Sequence, residues 1–181
     1  MTLAQAVLKG DKMDEVVRDA VMMGAAAIQP MISTRTEVAL SAVQRGRRTG
    51  RWQRIAISSA KQCGRATVPA ILEPRRFTDV ITALAGMSLP GPGLMLVEPP
   101  ATSEVLSLRD LANRPARETT VLVGPEGGWA PEEVELGSTA CRLVTFGTRT
   151  LRADAMGVVA LSALFAIWGE DRKSTRLNSS H

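Results

Sequence analysis

Histidine is almost missing from this chain of 181 residues: the one present, His181, is the final residue. Catalysis built on an imidazole is therefore excluded. Cysteine is scarce as well. Cys63 and Cys141 lie far apart without a pairing motif, which fits a reducing, cytoplasmic setting, and no metal site is expected. No run of eighteen apolar residues occurs, so neither a membrane span nor a membrane partner is expected. The opening MTLAQAVLKGDKMD lacks the long apolar core of a signal peptide. Two nucleotide signatures are also absent, the Walker phosphate loop and the GxGxxG dinucleotide turn. There is no internal repeat and no low-complexity linker.

What is present describes an ordered globular chain, 45% apolar and 22% charged, long enough for one medium domain with a real core. The final stretch, Asp171 to His181 (DRKSTRLNSSH), is polar and unlike everything before it. It resembles the in-frame translation of a sequencing-adapter oligonucleotide and is set aside from fold reasoning, which leaves residues 1–170. Arg172, Lys173 and Arg176 stand there against Asp171, so without this tail the formal net charge of +4 halves. The body is only mildly basic. Whole-chain charge is weak support for a nucleic-acid partner, and the distribution of charge is the better guide.

The organising stretch is Thr120 to Trp129, TVLVGPEGGW. Val121, Leu122 and Val123 read as a buried strand that breaks at Gly124-Pro125 and again at Gly127-Gly128, where the backbone can take positive φ and let a ligand approach. Pro131 with Glu132 and Glu133 reads as a helix start, giving a helix from Pro131 to Thr139. Strand, glycine loop and helix form a common ligand-site layout in open α/β sheets. A second loop, Gly147 to Thr150, follows a strand from Arg142 to Phe146 and precedes an apolar helix from Ala153 to Trp168. That helix carries Val158, Val159, Leu161, Leu164, Phe165 and Trp168, too many for a one-sided stripe, so it is either central or part of a dimer interface.

Earlier in the chain, Leu3 to Leu8 and Ala26 to Ile32 read as strands flanking a helix with Met13, Val16, Val17, Ala20 and Val21 on one face, which Gly24 stops. That is a parallel βαβ unit, and the fold class is α/β with a mostly parallel sheet and flanking helices. Pro69 to Pro74 reads as a short strand, Phe77 to Leu84 as a helix and Leu94 to Val97 as a buried strand; residues 101 to 118 carry one weak helix. Between them lies a basic run of Arg45, Arg47, Arg48, Arg51 and Arg54. From Arg51 the spacing is helical, with Trp52, Ile55, Ala56, Ala60 and Cys63 on one face and Arg51, Arg54, Ser58, Lys61 and Arg65 on the other. Such a face is either plainly solvated or a surface that tracks phosphates.

GPEGGW followed some twenty residues later by FGTRTLRAD resembles the ribosomal RNA uracil-N3 methyltransferases of the SPOUT class, the ribosomal small-subunit methyltransferase E family. KGDKMDEVVRDAVMMGAAAIQP is similar to the opening of that family's catalytic domain, with Met22-Met23 where the family has Glu-Leu. RWxxIxxxxxxQxxR is similar to its basic helix, although Ser59 and Lys61 replace acids there. The resemblance covers nearly all of residues 1 to 170. It implies a SPOUT fold with a C-terminal trefoil knot, a homodimer, S-adenosylmethionine as cofactor and 16S ribosomal RNA of the small subunit as partner. It further implies that family members carry an N-terminal β-barrel of PUA type, here expected to be missing. The methyl donor is expected against Leu122, Val123, Gly124, Pro125, Glu126, Gly127 and Gly128, against Phe146, Gly147, Thr150 and Leu151, and against Val97. RNA is expected on Arg35, Arg51, Arg54, Gln62 and Arg65.

The chemistry suits those residue types. A sulfonium methyl is already activated, so the protein mainly aligns donor and acceptor. Uridine N3 must lose a proton, and a fixed cation near O2 or O4 would stabilise the anion; Arg152 and Arg149 are the candidates. Asp154 or Glu126 could accept the proton, or Asp154 could cap its helix and Glu126 pin its loop. Two alternatives remain beside the uracil-N3 enzyme: a sister SPOUT methyltransferase acting on transfer RNA or another ribosomal site, and a non-catalytic RNA-binding dimer.

Overall fold

The computed structural model describes residues 1–45, 48–89, 91–99, 105–116 and 118–169. The adapter-like tail and Arg47 of the basic run lie outside the described residues. In chain order the elements are β1 (Thr2–Ala6), α1 (Lys12–Met22), β2 (Ala27–Ile32), α2 (Leu40–Arg45), α3 (Arg48–Gln62), β3 (Ala70–Ile71), β4 (Arg75–Arg76), α4 (Phe77–Ala85), β5 (Gly93–Leu96), β6 (Leu106–Ser107), α5 (Leu108–Ala112), β7 (Thr120–Val123), α6 (Pro131–Ser138), β8 (Cys141–Thr145) and α7 (Ala153–Trp168).

The strands form one sheet in the order β3-β2-β1-β7-β5-β8-β6, with β4 continuing beside the end of β2, and every pairing is parallel. Parallel sheets need cover on both faces, which is why the central strands read as nearly unbroken apolar runs. Successive residues of β1 serve opposite sides. Leu3 and Val7 join Val17, Trp52, Leu161 and Leu164 in one core, while Ala4 and Ala6 join Phe77, Ile81, Met95 and Leu122 in the other. The helix read between β1 and β2 buries all five predicted residues, Met13, Val16, Val17, Ala20 and Val21. Gly24 follows its end at φ +87°. Among the described residues no helix is long and apolar enough to cross a membrane.

Several boundaries differ from the sequence reading. The strand expected over Pro69 to Pro74 shortens to Ala70–Ile71, since proline at either end has no N–H for a ladder. Cys63 is exposed instead of buried: α3 ends at Gln62 and Gly64 turns the chain at φ +73°, so the inward face is Trp52, Ala56, Ser59 and Ala60. Residues 105 to 112 hold a strand as well as a helix, and α2 had no clear signal. Helix α7 buries one side through Gly157, Ala160, Leu161 and Leu164, and leaves Val159 37% exposed.

Candidate active site

The central strands β1, β7, β5 and β8 end together at their carboxyl edge, where ligands bind in open α/β sheets. The loop after β7 is held there by contacts from four directions. Trp129 donates its indole N–H to the Leu96 carbonyl at 2.7 Å and its ring lies 5.1 Å from that of Phe77. A Cβ on Gly124 would come 3.0 Å from the Trp129 ring, so the tryptophan can fold back only over a glycine. Gly128 closes a turn onto the Pro125 carbonyl at 3.0 Å and has φ +68°, a conformation that favours glycine. From β1, the fully buried Gln5 amide donates to the Gly124 carbonyl at 3.4 Å. From the loop after β2, Arg35 donates to the Gly127 carbonyl at 2.9 Å.

Two carboxylates complete this frame. Glu126 accepts from the Lys12 ammonium and from the Lys9 backbone N–H, both at 3.2 Å. Burial works against its charge, but these contacts and its own backbone N–H outweigh that and hold the carboxyl below its usual range. Glu133 is buried, reaches back to the Ala130 N–H at 3.0 Å and accepts the Thr34 N–H at 2.7 Å. It thereby caps α6 and ties the helix to the loop after β2.

Facing the glycine loop, the residues after β8 bring Arg152 and Asp154 to the same mouth. Arg152 holds Asp154 bidentately, Nε to Oδ1 at 3.1 Å and Nη2 to Oδ2 at 2.6 Å. The Arg152 side chain is 76% exposed and that of Asp154 only 15%. The Arg152 hydrogen bond keeps the Asp154 carboxyl below its usual range and raises the guanidinium in return. Between the two loops lies a cavity of about 630 Å³, apolar on Leu96, Val97, Val123, Trp129, Leu143 and Met156, with charged groups around it.

The chain matches the family described as RNA methyltransferase domain over residues 1–165. It is 32% identical over 169 residues to a ribosomal RNA small subunit methyltransferase E from Synechocystis, covering 92% of this chain and 53% of that protein. It is 30% identical to the one from Aquifex aeolicus, covering 91% and 67%. The chain belongs to the ribosomal RNA small subunit methyltransferase E family. It spans between about half and two thirds of the length of these two relatives. A crystal structure of the family member from Neisseria gonorrhoeae, bound to S-adenosyl methionine, aligns with a TM-score of 0.77 at 32% identity, covering 92% of this chain and 65% of that one.

Within this family domain, the residues read from the motifs divide into two sets. Val97, Val123, Gly124, Pro125, Glu126, Gly127, Gly128, Thr150, Leu151, Arg152 and Asp154 all line the cavity. Leu122 does not, because it sits inside β7 with its side chain in the core beneath. Phe146, Gly147 and Arg149 also lie outside the lining. Arg35, assigned to RNA, borders the cavity. Arg51, Arg54, Gln62 and Arg65 belong to or follow α3, away from it. Arg51 is ion-paired with Asp11 at 3.1 Å and with Asp14, and Arg65 donates to the Val21 and Ala25 carbonyls at 2.9 and 2.8 Å. Sequence reading missed Lys12, Glu98 and Trp129 in the lining. Trp129 was visible as the end of GPEGGW; the pairing of Lys12 with Glu126 across more than a hundred residues had no local signal.

Proposed function

We propose that this chain is the catalytic part of an S-adenosylmethionine-dependent methyltransferase that modifies N3 of a uridine in 16S ribosomal RNA. The observation that carries the reading is the Arg152–Asp154 pair set at the mouth of a glycine-floored cavity. The cavity fits the donor in chemistry as well as size. Of its carboxylates, Glu126 and Asp154 are paired with Lys12 and Arg152, and Glu98, unpaired among the described residues, suits a ligand that bears positive charge and no phosphate. The lining cations Lys12 and Arg35 are already engaged by Glu126 and by the Gly127 carbonyl. When bound, the donor supplies an activated methyl group on sulfur.

The chain's own residues orient the acceptor and stabilise its charge. Arg152, fixed by Asp154 and projecting into solvent, can meet a uracil carbonyl oxygen and stabilise the anion left when N3 loses its proton. Asp154 is a positioning group in this scheme: its lowered basicity and the two hydrogen bonds it accepts from Arg152 make it a poor proton acceptor. Glu126 is likewise committed to Lys9 and Lys12 and pins the loop. Glu98, whose carboxylate has neither an ion pair nor a hydrogen bond among the described residues, is the remaining candidate to take the proton.

The same reading carries a cytoplasmic location, a homodimer closed over α7, and a trefoil knot in which the residues after β8 pass beneath the loop after β7. The partly exposed Val158 and Val159 of α7 support the dimer, and the shared lining by the two loops is consistent with the knot. Calorimetry with S-adenosylmethionine, followed by methylation of 16S ribosomal RNA and mapping of 3-methyluridine, tests the function. Absence of donor binding would overturn it. Donor binding with methylation only of transfer RNA would point to a sister activity, and donor-independent RNA binding to a non-catalytic dimer.

A further inference from the structure

The basic residues of this chain differ in what they already hold. On α3, the helix whose spacing suggested an RNA-facing surface, Arg51 is ion-paired with two aspartates while Arg54 and Lys61 stay exposed, and Arg65, just past the helix, is committed to the carbonyls of Val21 and Ala25. Arg75 and Arg76, which make up β4, are exposed, and their side chains make no ion pair or hydrogen bond among the described residues. The acids nearest in sequence, Glu73 and Asp79, do not pair with them.

Their backbone is firmly placed. Arg75 and Arg76 register against Met31 and Ile32 of β2. The buried Gln29 amide donates to the Glu73 carbonyl at 2.7 Å, Gln44 donates to the Pro74 carbonyl at 3.4 Å, and the Leu72 N–H donates to Ile28 at 2.8 Å. Two arginines on so constrained a strand lose less freedom on binding than two on a loop.

Register also relates them to the cavity. Gln5 of β1 lies level with both Pro30 of β2 and Val123 of β7, and Ala6 lies level with Met31. Arg75, level with Met31, is therefore one residue beyond the level of Val123, where the glycine loop begins. All these strands are parallel, so β4 and the cavity open on one edge of the sheet. From β7 through β1 and β2 to β4 there are three strand spacings, about 14 Å in all. Arg35, on the loop after β2, lies along this path and borders the cavity.

We infer that Arg75 and Arg76 form a phosphate-binding ledge for the RNA strand that leaves the cavity mouth past Arg35. This rests on the RNA methyl-transfer reading of the cavity. Guanidinium groups suit the task because each can grip phosphate oxygens bidentately and stays charged at any physiological pH.

The test uses the full chain and a labelled, uridine-containing single-stranded RNA, with binding followed by fluorescence anisotropy across a salt series. For single strands each neutralised phosphate contributes about 0.7 to the slope of log affinity against log salt. Arg75→Gln with Arg76→Gln should therefore lower the slope by about 1.4 and weaken binding roughly 25-fold at about 0.1 M salt, relative to a 1 M reference. S-adenosylmethionine binding and the thermal melt should not change. Arg75→Lys with Arg76→Lys keeps the charges and should retain most of the slope. Unchanged affinity and slope in the glutamine variant would overturn the ledge, as would an equal loss confined instead to Arg54→Gln with Lys61→Gln on α3. If the parent methylates and binds RNA while the glutamine variant matches it, the ledge alone falls. If the parent binds no RNA, the ledge and the methyl-transfer reading fall together.

Discussion

Arg152 and Asp154 lie two residues apart and make one unit, so their substitutions should separate binding from turnover. Arg152→Ala is expected to leave donor affinity nearly unchanged and to lower turnover by roughly 10²–10³, the usual loss for one charge-stabilising donor. Equal losses in both would assign Arg152 a structural role. The pH dependence has a definite sign. Asp154 has a lowered pKa in the folded chain, so its contribution to stability is present above the ordinary carboxylate range and is lost as pH falls through the lowered value. The difference in melting temperature between the parent and Asp154→Asn should accordingly be largest near neutrality and vanish in strong acid. The two thiols should also differ. Cys63 is exposed, whereas burial pushes the Cys141 thiol up to about 12, so a thiol reagent should titrate one group in the native chain and both after unfolding. For the loop glycines the structure supplies reasons other than a ligand's need for space. A Cβ on Gly127 would meet Arg35 at 3.3 Å, and Gly128 is constrained by its positive φ. Gly128→Val should distort the loop and abolish donor binding in a chain that still melts cooperatively; retained binding would show that the loop is not the donor site.

At the scale of elements, the site depends on tethers between segments far apart in the chain. Glu133 is the clearest, since one buried carboxylate serves both the start of α6 and the loop carrying Arg35. Glu133→Ala leaves two backbone N–H groups without that partner and should cost about 1–3 kcal/mol, measured by urea unfolding. The loss should be larger than for Glu132→Ala, whose side chain is exposed in the same turn. These elements were readable to different degrees. Helix α1 and strand β7 announced themselves by periodicity and by Gly-Pro punctuation. Strand β3 was legible within the longer run from Pro69 to Pro74, whereas β4 and β6, of two residues each, are too short for any period to register and exist because a neighbour's backbone edge is available.

For the whole molecule, α7 is the element whose environment decides most. It is apolar around much of its circumference, yet it buries only one side against the sheet and α1, leaving Val159 partly open to solvent. If a second copy covers that side, Val159→Glu should yield a folded monomer, and sedimentation should show the parent as a dimer of concentration-dependent stability. A parent that sediments as a monomer throughout would remove the dimer from the proposed function.

The amino-acid sequence alone determined the parallel α/β class and the glycine loop, because each depends on local periodicity or on φ freedom; the arginine motif was legible only through its resemblance to the family, and that it faces the glycine loop came from the fold. Only the tertiary structure decided which cations are available. Arg51 and Arg65 look as free in the sequence as Arg75 and Arg76, but chain topology brings Asp11, Asp14 and the end of α1 to the first pair. It leaves the second on an exposed strand edge. Pairing of a charge depends on what lies across space, and sequence distance carries no record of it.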